Sequence, residues 1–135
     1  MTKYFALSAV LSLAGAPIFA APVPAAPPVA IEHQVRCSIV FALVAQQQAA
    51  RVPGADRFAP MAEPGKAFFV STGLRVIEQQ VVTQAALQDY YTARVAKVQA
   101  DLAAAPQPAA ALDREMAQCQ PLLAAAPPPA ATPTL

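Results

Sequence analysis

The chain has few of the residue types from which enzyme and metal sites are usually built. Its 135 residues include one histidine, two cysteines, four glycines and no tryptophan. Structural zinc normally takes four cysteine or histidine ligands, and this chain cannot supply them. Cys37 and Cys119 are far apart in the sequence, which excludes the Cys-x-x-Cys pair of thiol-exchange catalysts and of haem attachment. We expect neither a metal nor a cofactor.

Catalytic groups also lack the partners they need. No Gly-x-Ser-x-Gly occurs, and no histidine stands at a recognisable motif spacing from Ser38, Ser71 or Thr72. Asp113 and Glu115 form a carboxylate pair, but residues two positions apart on a helix point to different sides. After residue 20 only three glycines remain, and they form no phosphate-binding loop. The sequence predicts no catalytic residue and a protein that is not an enzyme.

Charge of either sign is sparse, at 13% of residues, and it is balanced. Without Lys3, eight basic and eight acidic side chains remain after residue 20. The basic residues are scattered singly, whereas nucleic-acid binding needs a concentrated basic face. A polybasic segment for anionic membranes is also missing. Nucleic acid is therefore excluded as a partner, and a protein or an envelope component is left open.

Long apolar runs are confined to the N-terminus. Lys3 precedes an uncharged apolar run over residues 4–14, and the small residue Ala20 follows. This order is typical of a secretory signal peptide, so residues 1–20 are predicted to be removed by cleavage near Ala20. The longest later run, 39–45, is far below the roughly 20 residues of a membrane-spanning helix. The mature chain is predicted to be periplasmic or secreted, with an uncleaved signal acting as an anchor as the alternative.

Proline, by contrast, is abundant, and its fifteen residues divide the chain. A helix interior does not tolerate proline, and each long proline-free segment shows a helical period of apolar residues. We predict an all-α fold, a small four-helix bundle-like domain over residues 29–123. Its helices are expected at 29–51, 66–82, 84–104 and from 108 to about 120 or 126. The Pro/Ala-rich segments 21–28 and 124–135 have no such period and are predicted to be a disordered linker and tail.

Local patterns refine the helix boundaries. Thr83 is predicted to cap the third helix, which separates it from the second. Residues 52–65 are expected to form an irregular connection. Pro121 is expected to end or kink the fourth helix. Glu32 and Arg36 are expected to pair across one turn of the first helix.

Apolar stripes predict which helix faces turn toward the core. Gly73 interrupts the second helix, at a cost of about 1 kcal/mol relative to alanine unless another helix approaches closely there. Adjacent residues on a helix point about 100° apart, so Tyr91 is placed on the core stripe of the third helix and Tyr90 beside it. The stripe predicted for the second helix consists of Val70, Leu74, Ile77 and Val81.

The two cysteines are the strongest signal in the chain. Cys37 lies in the apolar body of the first helix, and Cys119 lies on the apolar stripe of the fourth. Two core-facing cysteines in an exported chain of this size predict one disulfide between them. The bridge would close a ring of about eighty residues, for which chain entropy predicts about 4.5 kcal/mol. His33, one turn before Cys37, is predicted either to lie near the bridge or to be exposed.

The expected architecture is similar to that of small exported helical proteins with one disulfide in Gram-negative envelopes, acid-stress chaperones among them. The likeness is one of class, since Arg36 and Ser38 flank Cys37 where those chaperones carry tryptophan or acidic residues. The sequence favours a non-enzymatic module that binds a protein or envelope component. The alternative is a small-ligand carrier with a cavity between the helices, with Phe68, Phe69 and Tyr90 near its mouth.

Overall fold

The computed structural model describes residues 29–125, in which the chain forms four α-helices and two single-turn 3-10 helices. No strand occurs in this range, so the all-α prediction is confirmed. The proposed signal peptide, the linker and residues 126–135 lie outside the described residues. The four helices are α1 (Val29–Ala49), α2 (Ala62–Glu78), α3 (Leu87–Ala104) and α4 (Pro108–Ala125).

α1 and α2 form an antiparallel pair with a regular register. Three contacts mark it, at steps of seven residues on both helices: Gln34 with Arg75, Phe41 with Phe68, and Gln48 with Met61. Seven residues are close to two helical turns, so one face of α1 meets one face of α2 along its whole length. This pair is the scaffold on which the other two helices pack.

The remaining helices complete an up-down-up-down arrangement. The ion pairs Glu32–Arg94 and Arg36–Asp101 advance in the same direction on both helices, so α3 runs parallel to α1. The start of α4 is tied to the segment after α1 by the Arg57–Asp113 ion pair. Six residues further along α4, Cys119 bonds to Cys37 in the first half of α1, so α4 runs antiparallel to α1. The start of α1 and the end of α4 therefore lie at the same end of the bundle.

α1 is the most buried helix, as its apolar composition predicts. Five consecutive residues, 37–41, are each at most 1% exposed. A helix can bury consecutive residues only when it is covered on all sides. α2, α3 and α4 provide that cover.

The boundaries of α2 differ from the prediction at both ends. The helix spans Ala62–Glu78 rather than 66–82, because Pro64 stands in the first turn, where its missing N–H costs nothing. It ends where Gln80 adopts a left-handed backbone with φ of 56°, and the Val81 N–H donates to the Val76 carbonyl at 3.1 Å. Nothing in the composition marks Gln80 for this conformation, which glycine usually takes. The predicted irregular connection is shortened accordingly and contains one 3-10 turn, Ala55–Arg57.

The structure decides two questions about helix ends. Thr83 does act as a cap, since its hydroxyl accepts from the Ala86 N–H at 3.3 Å ahead of α3. Pro121 does not end α4, which continues to Ala125, close to residue 126, the later of the two ends that the sequence left open. Residues 124–125 therefore belong to the helix and not to the tail. An exposed proline removes one helical hydrogen bond, and the rest of the turn still forms.

The two glycines of α2 have different surroundings, which gives a matched test of packing. A methyl group at Gly73 would lie 3.7 Å from Leu87 Cδ2, an ordinary contact with α3, whereas one at Gly65 would lie 3.0 Å from Met61 Cγ and 3.3 Å from Phe41 Cβ. We expect Gly73→Ala to raise the free energy of unfolding by about 1 kcal/mol. Gly65→Ala is expected to lower it, because overpacking costs about 1–3 kcal/mol. Urea unfolding of both variants checks this, and equal gains at the two sites would contradict it.

Candidate functional site

The predicted disulfide joins Cys37 to Cys119 with a Cα–Cα distance of 5.3 Å. Both residues are 0% exposed, so the bridge lies in the core between α1 and α4. His33 is an exposed residue whose Nε2 stands 3.9 Å from Cys37 Sγ, so it is both near the bridge and open to solvent. Within the described residues no cysteine is free. The bridge is a structural tie between the first and last helices.

An ionic seam, defined as Glu32, Arg36, Arg94, Asp101 and Glu115, joins α1 to α3 and α4. Arg36 donates to both carboxylate oxygens of Glu115, at 2.7 and 2.9 Å, and to Asp101 at 3.1 Å. Arg94 donates to Glu32 at 2.8 Å. The expected pairing of Glu32 with Arg36 is therefore wrong. Each residue finds its partners on another helix, where the forked guanidinium can meet a carboxylate with two parallel hydrogen bonds.

The carboxylate pair at the start of α4 is split between two arginines. Asp113 accepts from Arg57 Nε at 2.8 Å, while Glu115 accepts from Arg36 at 2.7 Å. The two side chains diverge, as their spacing predicts. They tie α4 to the loop after α1 and to α1 itself, and they share no proton.

The two adjacent tyrosines also separate as predicted. Tyr91 is 6% exposed and packs on Phe69 with ring centroids 4.5 Å apart. Tyr90 is half-buried, donates to Glu32 at 3.1 Å and lies 3.5 Å below the Arg94 guanidinium. Burial, followed by the hydrogen bond to Glu32, raises the pKa of Tyr90 to about 12. Its hydroxyl therefore stays protonated and acts as a donor within the ionic seam.

The ionic seam makes the stability of the fold depend on pH. The hydrogen bond from Arg94 holds the pKa of Glu32 below its ordinary value of 4.5, and Arg36, then Lys97, hold the pKa of Asp101 below 3.8. A carboxyl group with a lowered folded pKa stabilises the fold above its unfolded pKa, and this contribution is lost as the pH falls through the folded pKa. We therefore expect Tm to fall as the pH is lowered from about 5 to about 2.

The double variant Glu32→Gln, Asp101→Asn is the test of that dependence. It removes the two titrating groups and keeps their shape, so its Tm should change less over the same acid range than that of the unaltered protein. Thermal unfolding followed by circular dichroism at a series of pH values measures both curves. Parallel curves would show that the acid sensitivity arises elsewhere.

A groove of about 300 Å³ lies between α1 and α3, beside the ionic seam. Its floor is apolar and buried, since none of the floor residues is more than 4% exposed: Val35, Ile39 and Val98. Its rim is polar and consists of Glu32, His33, Arg36, Arg94 and Lys97. The four charged side chains of the rim are all paired, three of them within the seam and Lys97 with Asp101 of the seam. The groove therefore offers an apolar surface with little uncompensated charge.

The residues expected at the mouth of a ligand cavity do not line this groove. Phe68 is 4% exposed and packs edge to face on Phe41. Phe69 packs on Tyr91, and the Tyr90 hydroxyl donates to Glu32 of the ionic seam. The aromatic side chains are thus used to join the helices.

α2 carries an apolar surface that faces outward. Val70 and Leu74 are 55% and 56% exposed, more than any other large hydrophobic side chain of residues 31–125. They were expected in the core, but α2 turns its opposite face inward instead. That inner face consists of Gly65, Phe68, Thr72, Gly73 and Val76.

The outer stripe of α2 is defined as Ala67, Val70, Leu74 and Ile77. Ala67 is exposed as well, and Ile77 is half-buried at the edge of the bundle. Val81, which the sequence places on the same stripe, follows the end of α2 and packs against the core instead. α2 is therefore apolar on two faces, and sequence analysis found only the outer one. The inner face was recognisable from Phe68 and Val76, eight residues apart, but small and polar residues between them obscure its period.

No metal site is formed within residues 29–125, where no three histidine, cysteine, aspartate or glutamate side chains come together. Among the described helices, none has the length and apolar character required to cross a membrane. Comparison with family models, curated proteins and solved structures found no match for this chain. Its function is therefore inferred from its own residues.

Proposed function

We propose that this protein is an exported, non-enzymatic helical module that works by binding another protein. The observation that supports this is the outer stripe, where Val70 and Leu74 are more than half exposed. Apart from Val52, every other large hydrophobic side chain of residues 31–125 is at least partly buried. Each Å² of apolar surface left in water forgoes about 25 cal/mol of the stabilisation that its burial would give. A contiguous exposed apolar patch is typical of an interaction surface.

Export is supported by the disulfide and by the signal-like order of residues 1–20. The test is mass analysis of the protein recovered from the periplasm or medium, with and without reductant before thiol capping. We expect loss of residues 1–20, no capped thiol without reductant and two with it. Two free thiols on the exported, folded protein would contradict the proposal, as would retention of the chain in the cytoplasm.

Binding is tested by a photo-crosslinking amino acid placed at Leu74 and, as a control, at the exposed Gln99 of α3. The cross-linker at Leu74 is expected to yield one dominant cross-linked protein from the compartment to which the chain is exported, and mass spectrometry identifies it. The control position should yield none. Absence of a cross-link at both positions, or an equal and diffuse pattern at both, would contradict a specific protein partner.

A small-ligand carrier is the second candidate, and the groove between α1 and α3 is the observation that favours it. Its volume of about 300 Å³ is at the lower end of small-molecule sites. Native mass spectrometry of the exported protein distinguishes the two candidates. A bound small molecule that Lys97→Glu removes would support the carrier, and an unliganded chain that co-purifies with a protein would support the binding module.

A further inference from the structure

We infer that the outer stripe of α2 docks one amphipathic α-helix of another protein, with basic residues beside the apolar ridge of that helix. This assignment rests on the proposed function and narrows it to one face of the bundle and one kind of partner. The spacing, rigidity, charge and area of the stripe each contribute to it.

The spacing of the outer stripe is that of a helix–helix seam. Its members follow one another at intervals of three, four and three residues, from Ala67 to Ile77, all within α2. This repeat of 3.5 residues keeps apolar side chains in line along a partner helix, whose own side chains then fit between them. The stripe is about 15 Å long, or about three helical turns. An extended strand, with its period of two, would meet only some of these side chains.

The stripe is held rigidly from behind. Phe68 packs on Phe41 with ring centroids 5.3 Å apart, and Arg75 donates to Gln34 at 2.8 Å. These contacts fix the rotation of α2 about its axis, so Val70 and Leu74 face outward before any partner arrives. A preformed surface avoids the ordering cost that weakens binding by flexible segments.

Unpaired charges border the stripe, in contrast to the ionic seam on the other side of the bundle. Glu63, Lys66 and Glu78 are exposed and take part in no ion pair within residues 29–125. Two carboxylates and one ammonium give this border a net negative charge. Lysine or arginine at the flanks of a docking helix would complement it, and a helix with acidic flanks would be repelled.

The area of the stripe argues against a second copy of this chain as the occupant. A stable dimer buries about 800 Å² on each partner. Two half-exposed aliphatic side chains and their edge neighbours supply only part of that area. A second copy would also present the same acidic border. A single helix fits this narrow surface better than a whole bundle does.

The test is a titration of the oxidised, mature protein with a synthetic 18-residue amphipathic peptide as probe. The peptide carries leucine at 3-4 spacing with lysine at its flanks, and a matched peptide carries glutamate in place of lysine. Fluorescence anisotropy is expected to show binding of the lysine peptide and affinity at least about tenfold lower for the glutamate peptide. Leu74→Glu should lower the affinity for the lysine peptide at least about tenfold, and Glu78→Lys should lower it several-fold.

Val52→Glu is the matched control, because Val52 is 43% exposed and lies outside the stripe. It should leave peptide binding unchanged. Both Leu74→Glu and Val52→Glu are expected to fold, because the two positions are exposed, and circular dichroism checks this. Equal binding of the two peptides, or unchanged binding after Leu74→Glu, would overturn the assignment.

Two other occupants would overturn it in recognisable ways. Sedimentation that shows a dimer dissociated by Leu74→Glu would assign the stripe to a second copy. Binding to phosphatidylglycerol vesicles that Leu74→Glu abolishes would assign it to a lipid surface. A specific cross-link from Gln99 alone would contradict the outer stripe as the docking surface, and it would leave the proposed function in place. Failure of export would refute the proposed function even if the peptide binds.

Discussion

Replacing Cys37 and Cys119 together by alanine is expected to lower the free energy of unfolding by about 3–4.5 kcal/mol. The bridge spans 82 positions of the chain, so its loss frees a long segment of the unfolded state. Native domains are stable by only about 5–15 kcal/mol, which makes this a large fraction of the total. Alanine is the appropriate replacement because both positions are 0% exposed and a hydroxyl there would lack solvent.

Urea unfolding of the oxidised protein, the reduced protein and the double variant measures this loss. The reduced protein and the double variant should unfold at similar urea concentrations, both well below the oxidised protein. A loss below about 1 kcal/mol would show that packing and the Arg36–Glu115 pair hold α4 without the bridge. A lower m-value in the variant would show that α4 has already detached in the native state.

Gln48→Glu is expected to cost about 2–3 kcal/mol. The Gln48 Nε2 lies within 3.2 Å of three backbone carbonyls, those of Ala55, Phe58 and Ala59, and its Oε1 accepts from the Met61 N–H at 2.9 Å. One side chain thus organises the whole connection between α1 and α2. A carboxylate cannot donate to these carbonyls, and it would place a negative charge among them.

The matched control is Gln46→Glu, which adds the same charge at an exposed position two residues earlier on α1. It should change the free energy of unfolding by less than about 0.5 kcal/mol. Urea unfolding of both variants separates the loss of the amide hydrogen bonds from the general effect of added charge. Equal losses in the two variants would show that charge at this end of α1, and not the hydrogen bonds, is responsible.

The sequence predicted the four helices and the disulfide because these follow from local chemistry. Proline is disfavoured in helix interiors, so the proline-free segments of the sequence are close to the observed helices. Cys37 and Cys119 each occupy a core position within a strongly periodic segment, so their pairing required no knowledge of how the helices pack. The exceptions are Pro64 and Pro121. Pro64 lies in the first turn of α2, where the missing N–H has no helical partner to lose. Pro121 is exposed and lies four residues before the end of α4, where it removes one helical hydrogen bond without ending the helix.

The orientation of α2 could not be predicted from its own pattern. Its outer stripe contains Val70 and Leu74 at core-like spacing, while its inner face depends on Gly65, Thr72 and Gly73. Small residues permit close approach of a neighbouring helix, but they contribute little to apolar periodicity. Which face turns inward is decided by shape complementarity to α1 and α3, which a single helix does not encode.

The long-range ion pairs could not be predicted from the sequence either. Glu32 and Arg36 have the spacing of a local pair, yet their observed partners are 62 to 79 positions away. A local pair on an exposed helix gains only a few tenths of a kcal/mol, so a better-oriented partner on another helix readily replaces it. Such choices emerge only when α3 and α4 are placed beside α1.

Because the start of α1 and the end of α4 lie at one end of the bundle, the chain could be rejoined there and reopened in the turn between α3 and α4. In such a circular permutant the four helices keep their places, but the sulfur–sulfur link closes a ring of about twenty residues. Its entropic contribution would shrink by about 1.3 kcal/mol, since loop entropy varies with the logarithm of ring size. The value of this cross-link thus depends on the order in which the helices are connected as well as on where its two sulfur atoms lie.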